Sequence, residues 1–188
     1  MRLFAATDIP EDVRSAIAGL VSTLRPACRN ARWVRLEGLH VTLKFIGETS
    51  PEACDAIQAA LASIPSRAPI SITFRGLGFF PDERRPHVLW AGVKGGTELA
   101  ALAGEIEAAL AALGIPREER EFNAHLTLAR MESPRILGAF HDAVKQAGRL
   151  SFGRATVDEF HLYQSVLKPA GAEYTRLATF SFAGSKPE

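Results

Sequence analysis

Cysteine is scarce in this sequence. Only Cys28 and Cys54 occur, with no CxxC pair and no histidine at metal-ligand spacing beside either. That argues against a disulfide framework, and both residues read as reduced structural thiols of a cytoplasmic protein. Long apolar runs are missing too. The longest stretch without Asp, Glu, Lys or Arg is the eleven residues 56–66, well short of the ~20 that a membrane-spanning helix needs. The opening MRLFAATDIP meets Asp8 before any signal-peptide core has formed. Nor is there an excess of one charge: 22 Lys+Arg against 21 Asp+Glu leave a formal +1. A globally basic nucleic-acid coat and an acidic solvating chain are both excluded.

What remains is ample for a core. Eleven Phe, two Trp and 47% hydrophobic residues in 188 exclude intrinsic disorder and point to one globular domain. Strands and amphipathic helices alternate. Residues 2–7 read as a strand, and a helix follows to about residue 24, with Pro10 suited to its first turn. Val13, Ile17, Leu20, Val21 and Leu24 share one helical face. Residues 31–35 and 39–46 read as strands, and Ser50-Pro51-Glu52 opens a second helix. Further strands are expected over 70–74 and 87–93, then a helix over 97–113 ended by Gly114. A strand over 122–131, a helix opened by Ser133-Pro134, and strands over 156–164 and 174–182 complete the pattern. With no low-complexity linker, residues 1–182 form a single α+β domain rich in hairpins, and 183–188 form a mobile tail.

One pattern occurs twice. His40-Val41-Thr42-Leu43 lies in the third strand and His125-Leu126-Thr127-Leu128 lies 85 residues later. From 5 His, 10 Thr and 47% hydrophobic residues, His-apolar-Thr-apolar is expected about 0.06 times, so two copies are poorly explained by accident. Side chains alternate along a strand, so each His shares a face with its Thr while Val41, Leu43, Leu126 and Leu128 turn to the buried side. Each copy follows a helix and precedes a Ser-Pro helix start. That predicts two similar lobes about an approximate two-fold axis, with four polar side chains meeting in one cleft.

Such a set suits phosphodiester cleavage. In-line attack of water at phosphorus needs one group to take a proton and another to protonate the leaving oxygen. Imidazole does either near neutral pH. Two threonine hydroxyls would donate to the non-bridging oxygens, where charge gathers in the transition state. No metal or other cofactor is required. The competing reading is two buried histidines satisfied by hydrogen bonds, a good account of one isolated copy and a poor one of a duplicated pair.

At these residues the sequence resembles the 2H phosphoesterase superfamily, and more closely the bacterial RNA 2′,3′-cyclic phosphodiesterases, also named 2′-5′ RNA ligases. MRLFAATDIP resembles the family's first strand, RWVRLEGLHVTLKFIGE and REFNAHLTLAR its two motif segments, RPHVLWAGV its middle strand and LYQSVLKPAGAEYTRLATF its ending. The resemblance implies a bilobal α+β fold, with antiparallel sheets, outer helices and a cleft between the lobes. It also implies hydrolysis of RNA 2′,3′-cyclic phosphate to a 2′-phosphomonoester. In it His40 donates the proton to the departing 3′ oxygen, His125 activates water, and Thr42 and Thr127 hold the phosphate. The partner is an RNA with a cyclic phosphate end or a small cyclic nucleotide, and the enzyme acts as a monomer. Two alternatives stay open: reversible 2′-5′ joining of RNA, and a module that binds RNA ends without turnover.

Charge is locally uneven around the first motif. Arg25, Arg29, Arg32, Arg35 and Lys44 stand against Glu37 alone, a run that either binds an RNA backbone or is a solvated face. Lys44 is the best substrate-binding candidate, because strict alternation puts it on the face of His40 and Thr42. Arg130 is a second, although the same alternation turns it away unless a bulge or strand end redirects it. Phe79, Phe80, Trp90, Tyr163 and Tyr174 either stack on a base or pack the core. His161 shares parity with Tyr163 and is a minor candidate for the cleft, while His87 reads as the start of a strand and His141 as an exposed helix residue beside Asp142.

Overall fold

A computed structural model describes residues 1–28, 30–132, 138–169 and 171–183. The sequence begins with β1 (Arg2–Asp8), α1 (Glu11–Leu24) and a short β2 (Ala31–Trp33). β3 (His40–Glu48), α2 (Pro51–Ala62) and β4 (Ile70–Phe80) complete the first half. The second half repeats the plan with β5 (Val88–Lys94), α3 (Gly96–Ala111), β6 (His125–Met131) and α4 (Gly138–Ala147), then β7 (Ser151–Val157), β8 (Glu159–Lys168) and β9 (Gly171–Ser181). The start of the fourth helix at Ser133-Pro134 and most of the tail lie outside the described residues. Ser50 caps α2 as its sequence implied, its hydroxyl accepting from the Ala53 amide at 3.3 Å.

Two antiparallel sheets result, in the orders β3-β1-β8-β9 and β2-β6-β5-β4-β7. The chain halves are exchanged between them. β4, from the first half, joins β5 and β6, while β8, from the second, joins β1 and β3. The helices cross as well: α1 packs on β7 with α4, and α3 packs on β3 with α2. Neither lobe can therefore fold from one contiguous half. One apolar core runs through both, including Val13 and Ile17 of α1, Leu102 and Ile106 of α3, and Leu126 and Leu128 of β6. Among the described residues no helix is long and apolar enough to cross a membrane.

Two expectations need correcting. Strand β4 runs to Phe80 rather than ending at Phe74, because a register shift after Phe74 lets the chain continue through its glycines against β5. The stretch expected as one strand over 156–164 is two, β7 and β8, broken at Asp158. Gly153 sits in β7 at φ +128, where its missing side chain makes room for Val13 of α1. A glycine in a weakly alternating run conceals a strand that pairs with β4 and is packed by a helix elsewhere in the sequence.

Candidate active site

The repeated motifs occupy matching positions in the two sheets. β3 pairs with β1, β6 pairs with β5, and β3 and β6 lie against each other where the lobes meet. Val41, Leu43, Leu126 and Leu128 are all less than 5% exposed, so core packing anchors both strands from behind. His40, Thr42, His125 and Thr127 are half-buried on the opposite side.

The two imidazoles are held alike. Nδ1 of His40 lies 2.7 Å from the Gly38 carbonyl, and Nδ1 of His125 lies 2.7 Å from the Asn123 carbonyl. A carbonyl only accepts, so each Nδ1 carries the proton and each Nε2 is left to act as acid or base. Burial pushes both pKa values down, and the backbone carbonyl opposes it in each case. Beyond that the environments diverge. The Asp8 charge raises His40 and His125 lowers it, whereas Arg130 lowers His125.

Aromatic rings fix the planes. Phe4 stacks on His40 at 4.7 Å and Tyr174 meets its edge at 5.0 Å. On the other lobe Phe80 sits edge-on to His125 at 4.9 Å and beside Trp90 at 5.2 Å. Arg14 of α1 donates to the Leu36 carbonyl, which ties down the turn that leads into His40. A cleft of about 510 Å³ opens beside His40, with Asp8, Arg35, Tyr163, Tyr174 and Arg176 in its wall.

A shared irregularity decides where the next residues point. Ala6 pairs with Thr42 but Ala5 with Lys44, and Trp90 pairs with Thr127 but Leu89 with Ala129. Each motif strand thus carries one extra residue, Leu43 or Leu128, and beyond it the alternation reverses. The reversal corrects the expectation for Lys44. Its side chain turns inward, 5% exposed, with Nζ 2.9 Å from Glu107 and donating to the Pro116 carbonyl at 2.7 Å. It ties β3 to α3 and is not available to a substrate in the cleft. The same reversal brings Arg130 out to the exposed face, where its charge acts on both His125 and Tyr174.

The other candidates disperse. Arg25 lies over Trp33, Arg35 reaches the cleft, and Arg29 lies outside the described residues. Phe79 is buried, while Phe80 and Trp90 are half-exposed. His161 is buried at 1% exposure, with Nδ1 3.1 Å from Thr179 and Nε2 3.4 Å from Glu159. His141 pairs with Glu83 on the surface. Cys28 and Cys54 are buried free thiols, and burial pushes Cys28 up.

Sequence reasoning missed Asp8, which read as the residue that ends a strand. Its Oδ1 accepts from the Tyr163 hydroxyl at 2.6 Å and its Oδ2 from Arg176 at 2.5 Å. Burial, then the bond to Asp8, pushes the Tyr163 hydroxyl up to about 12, so it stays a donor. Nothing local announces Asp8, because its role depends on strands far away in sequence.

Comparisons with known proteins agree with this fold. The family model described as the 2′-5′ RNA ligase superfamily matches residues 10–168. The RNA 2′,3′-cyclic phosphodiesterase of Archaeoglobus fulgidus is 35% identical over 182 residues, covering 96% of this chain and 99% of the relative. A crystal structure from Thermus thermophilus superposes with a TM-score of 0.81 at 33% identity, covering 99% of this chain and all of the other. E. coli LigT complexed with 3′-AMP superposes with a TM-score of 0.80 at 26% identity, covering 97% and 98% of the two chains.

Proposed function

Because the chain belongs to the 2′-5′ RNA ligase superfamily, we propose that it hydrolyses the 2′,3′-cyclic phosphate ends of RNA to 2′-phosphomonoesters. The observation that carries this reading is the matched pair of imidazoles, each with Nδ1 pinned to a carbonyl two residues back and no hydrogen-bond partner at Nε2 among the described residues. His125, under the cationic influence of Arg130, is the base. It takes a proton from water as the water oxygen bonds to phosphorus. His40, beside Asp8, is the acid. It gives its proton to O3′ as the P–O3′ bond breaks. Thr42 and Thr127 donate to the non-bridging oxygens, and Arg130 adds positive charge nearby.

In-line displacement puts the entering water and the leaving O3′ on opposite sides of phosphorus. O3′ belongs to the ribose, so the terminal nucleoside lies on the His40 side, where the 510 Å³ cleft opens. Two free buried thiols suit a reducing cytoplasm, where the enzyme works as a monomer.

The test is an assay with a 2′,3′-cyclic-phosphate oligonucleotide in excess chelator, with the product identified. A 2′-phosphate is expected, and His40→Ala and His125→Ala are each expected to be inactive though folded. Activity that survives in the double variant would sink the mechanism. Tight binding of the end without turnover would favour a recognition module instead.

A further inference from the structure

Strand β2 has no counterpart in the other sheet. It extends the second sheet beyond β6 and pairs Ala31 with Met131, Arg32 with Arg130 and Trp33 with Ala129. Trp33 turns to the helix side, where it meets Phe140 of α4 edge-on. Arg32 and Arg130 are both exposed, on the opposite side. Directly opposed residues of an antiparallel pair have Cβ atoms about 4.5–5.5 Å apart, and like charges there repel. Among the described residues no carboxylate pairs with either guanidinium. Two opposed cations without a counter-charge make a site for an anion, and guanidinium forks favour phosphate.

The position says which phosphate. Arg130 follows Thr127 by three residues on the motif strand, ~7–10 Å at the usual strand rise. A long guanidinium side chain at that distance is within reach of the phosphate next to the one that Thr127 would hold. The charge of Arg130 also reaches Tyr174 in the wall of the His40 cleft. We infer that Arg32 and Arg130 together bind the phosphodiester on the 5′ side of the terminal nucleotide, so that the enzyme distinguishes an RNA strand from a free cyclic mononucleotide. The inference rests on the proposed hydrolysis and adds the polymer to it. An extra edge strand that carries one arginine is how a molecule of net charge +1 grips a polyanion at one point.

The experiment compares kcat/KM for a ten-nucleotide RNA ending in 2′,3′-cyclic phosphate with kcat/KM for a 2′,3′-cyclic mononucleotide. In Arg32→Gln the ratio of the two is expected to fall about tenfold, the loss of one charge-assisted contact. Arg32→Lys is expected to keep most of the ratio. An unchanged ratio in Arg32→Gln would overturn the inference, whether both substrates suffer equally or neither suffers.

A direct binding measurement separates this from a failure of the hydrolytic reading. The probe is the same ten-nucleotide RNA carrying a 2′-phosphate, which needs no turnover. Arg32→Gln is expected to weaken its binding about tenfold and to flatten the slope of log affinity against log salt by about 0.7. Equal affinity and equal slope in wild type and variant would reject the site even if hydrolysis is absent.

Discussion

Asp8 stands directly opposite His40 across the β1–β3 ladder, and at the matching station of the β5–β6 ladder His125 stands opposite Gly92. A side chain at Gly92 is ruled out, since a Cβ there would lie 2.6 Å from the Arg75 carbonyl. Two residues past the extra residue of each strand, the second lobe presents Arg130 and the first presents Phe45. The frame is symmetric, but it carries a carboxylate beside one imidazole and a guanidinium beside the other. In the proposed hydrolysis that difference is what divides two similarly held histidines into an acid and a base.

The division sets the pH profile. With the proposed roles, kcat/KM needs His125 neutral and His40 protonated, so it is expected to rise through the pKa of the first and fall through that of the second. Burial holds both below the ordinary 6.5, so the profile is expected to decline above about pH 6.5. Asp8→Asn removes a charge that raises His40, and the descending limb is expected to move to lower pH. Asp8→Glu is expected to restore most of it. If Asp8→Asn moved the ascending limb instead, the two histidines would have to exchange roles. Proton NMR titration of the two imidazoles checks the assignment without turnover.

Lys44 is expected to matter for stability. Replacing it with Ala leaves Glu107, at 18% side-chain exposure, without its cation, and leaves the Pro116 carbonyl without a donor. Loss of one partner of a buried pair costs about 3–5 kcal/mol. Urea denaturation of Lys44→Ala should show a loss of that order, with Lys44→Met plus Glu107→Gln recovering much of it. A variant as stable as wild type would show that the ion pair contributes nothing.

Gly78 makes room for Trp90. A Cβ at residue 78 would overlap the indole, which lies across β4 beside the strand of Thr127. Gly78→Ala is expected to cost about 1–3 kcal/mol through overpacking and to lower kcat by displacing Trp90 and Thr127. Trp90→Leu in the same molecule should relieve the clash, so the two changes should be non-additive in thermal melts. Simple additivity would show that the ring has room to move.

Periodicity alone located α1, α3 and the two motif strands, because amphipathic patterns are local and a core-facing stripe needs only its own neighbours to be recognised. It failed at β7, where Gly153 interrupts the alternation and α1 supplies the packing that makes a strand of it. Parity along β3 and β6 was sound as far as Leu43 and Leu128 and misleading from the next residue on. A bulge is a property of two paired strands, and only the pairing showed that Lys44 turns in and Arg130 turns out.

The sequence by itself determined the chemistry: two His-x-Thr strands, balanced charge and enough apolar residues for one core. It did so because side-chain identity and the two-residue strand period are local facts. Only the tertiary structure decided which histidine has a carboxylate neighbour, which cation reaches the cleft, and that Arg32 faces Arg130. Those are relations between residues brought together by strand pairing, and electrostatic influence depends on distance in space rather than along the chain.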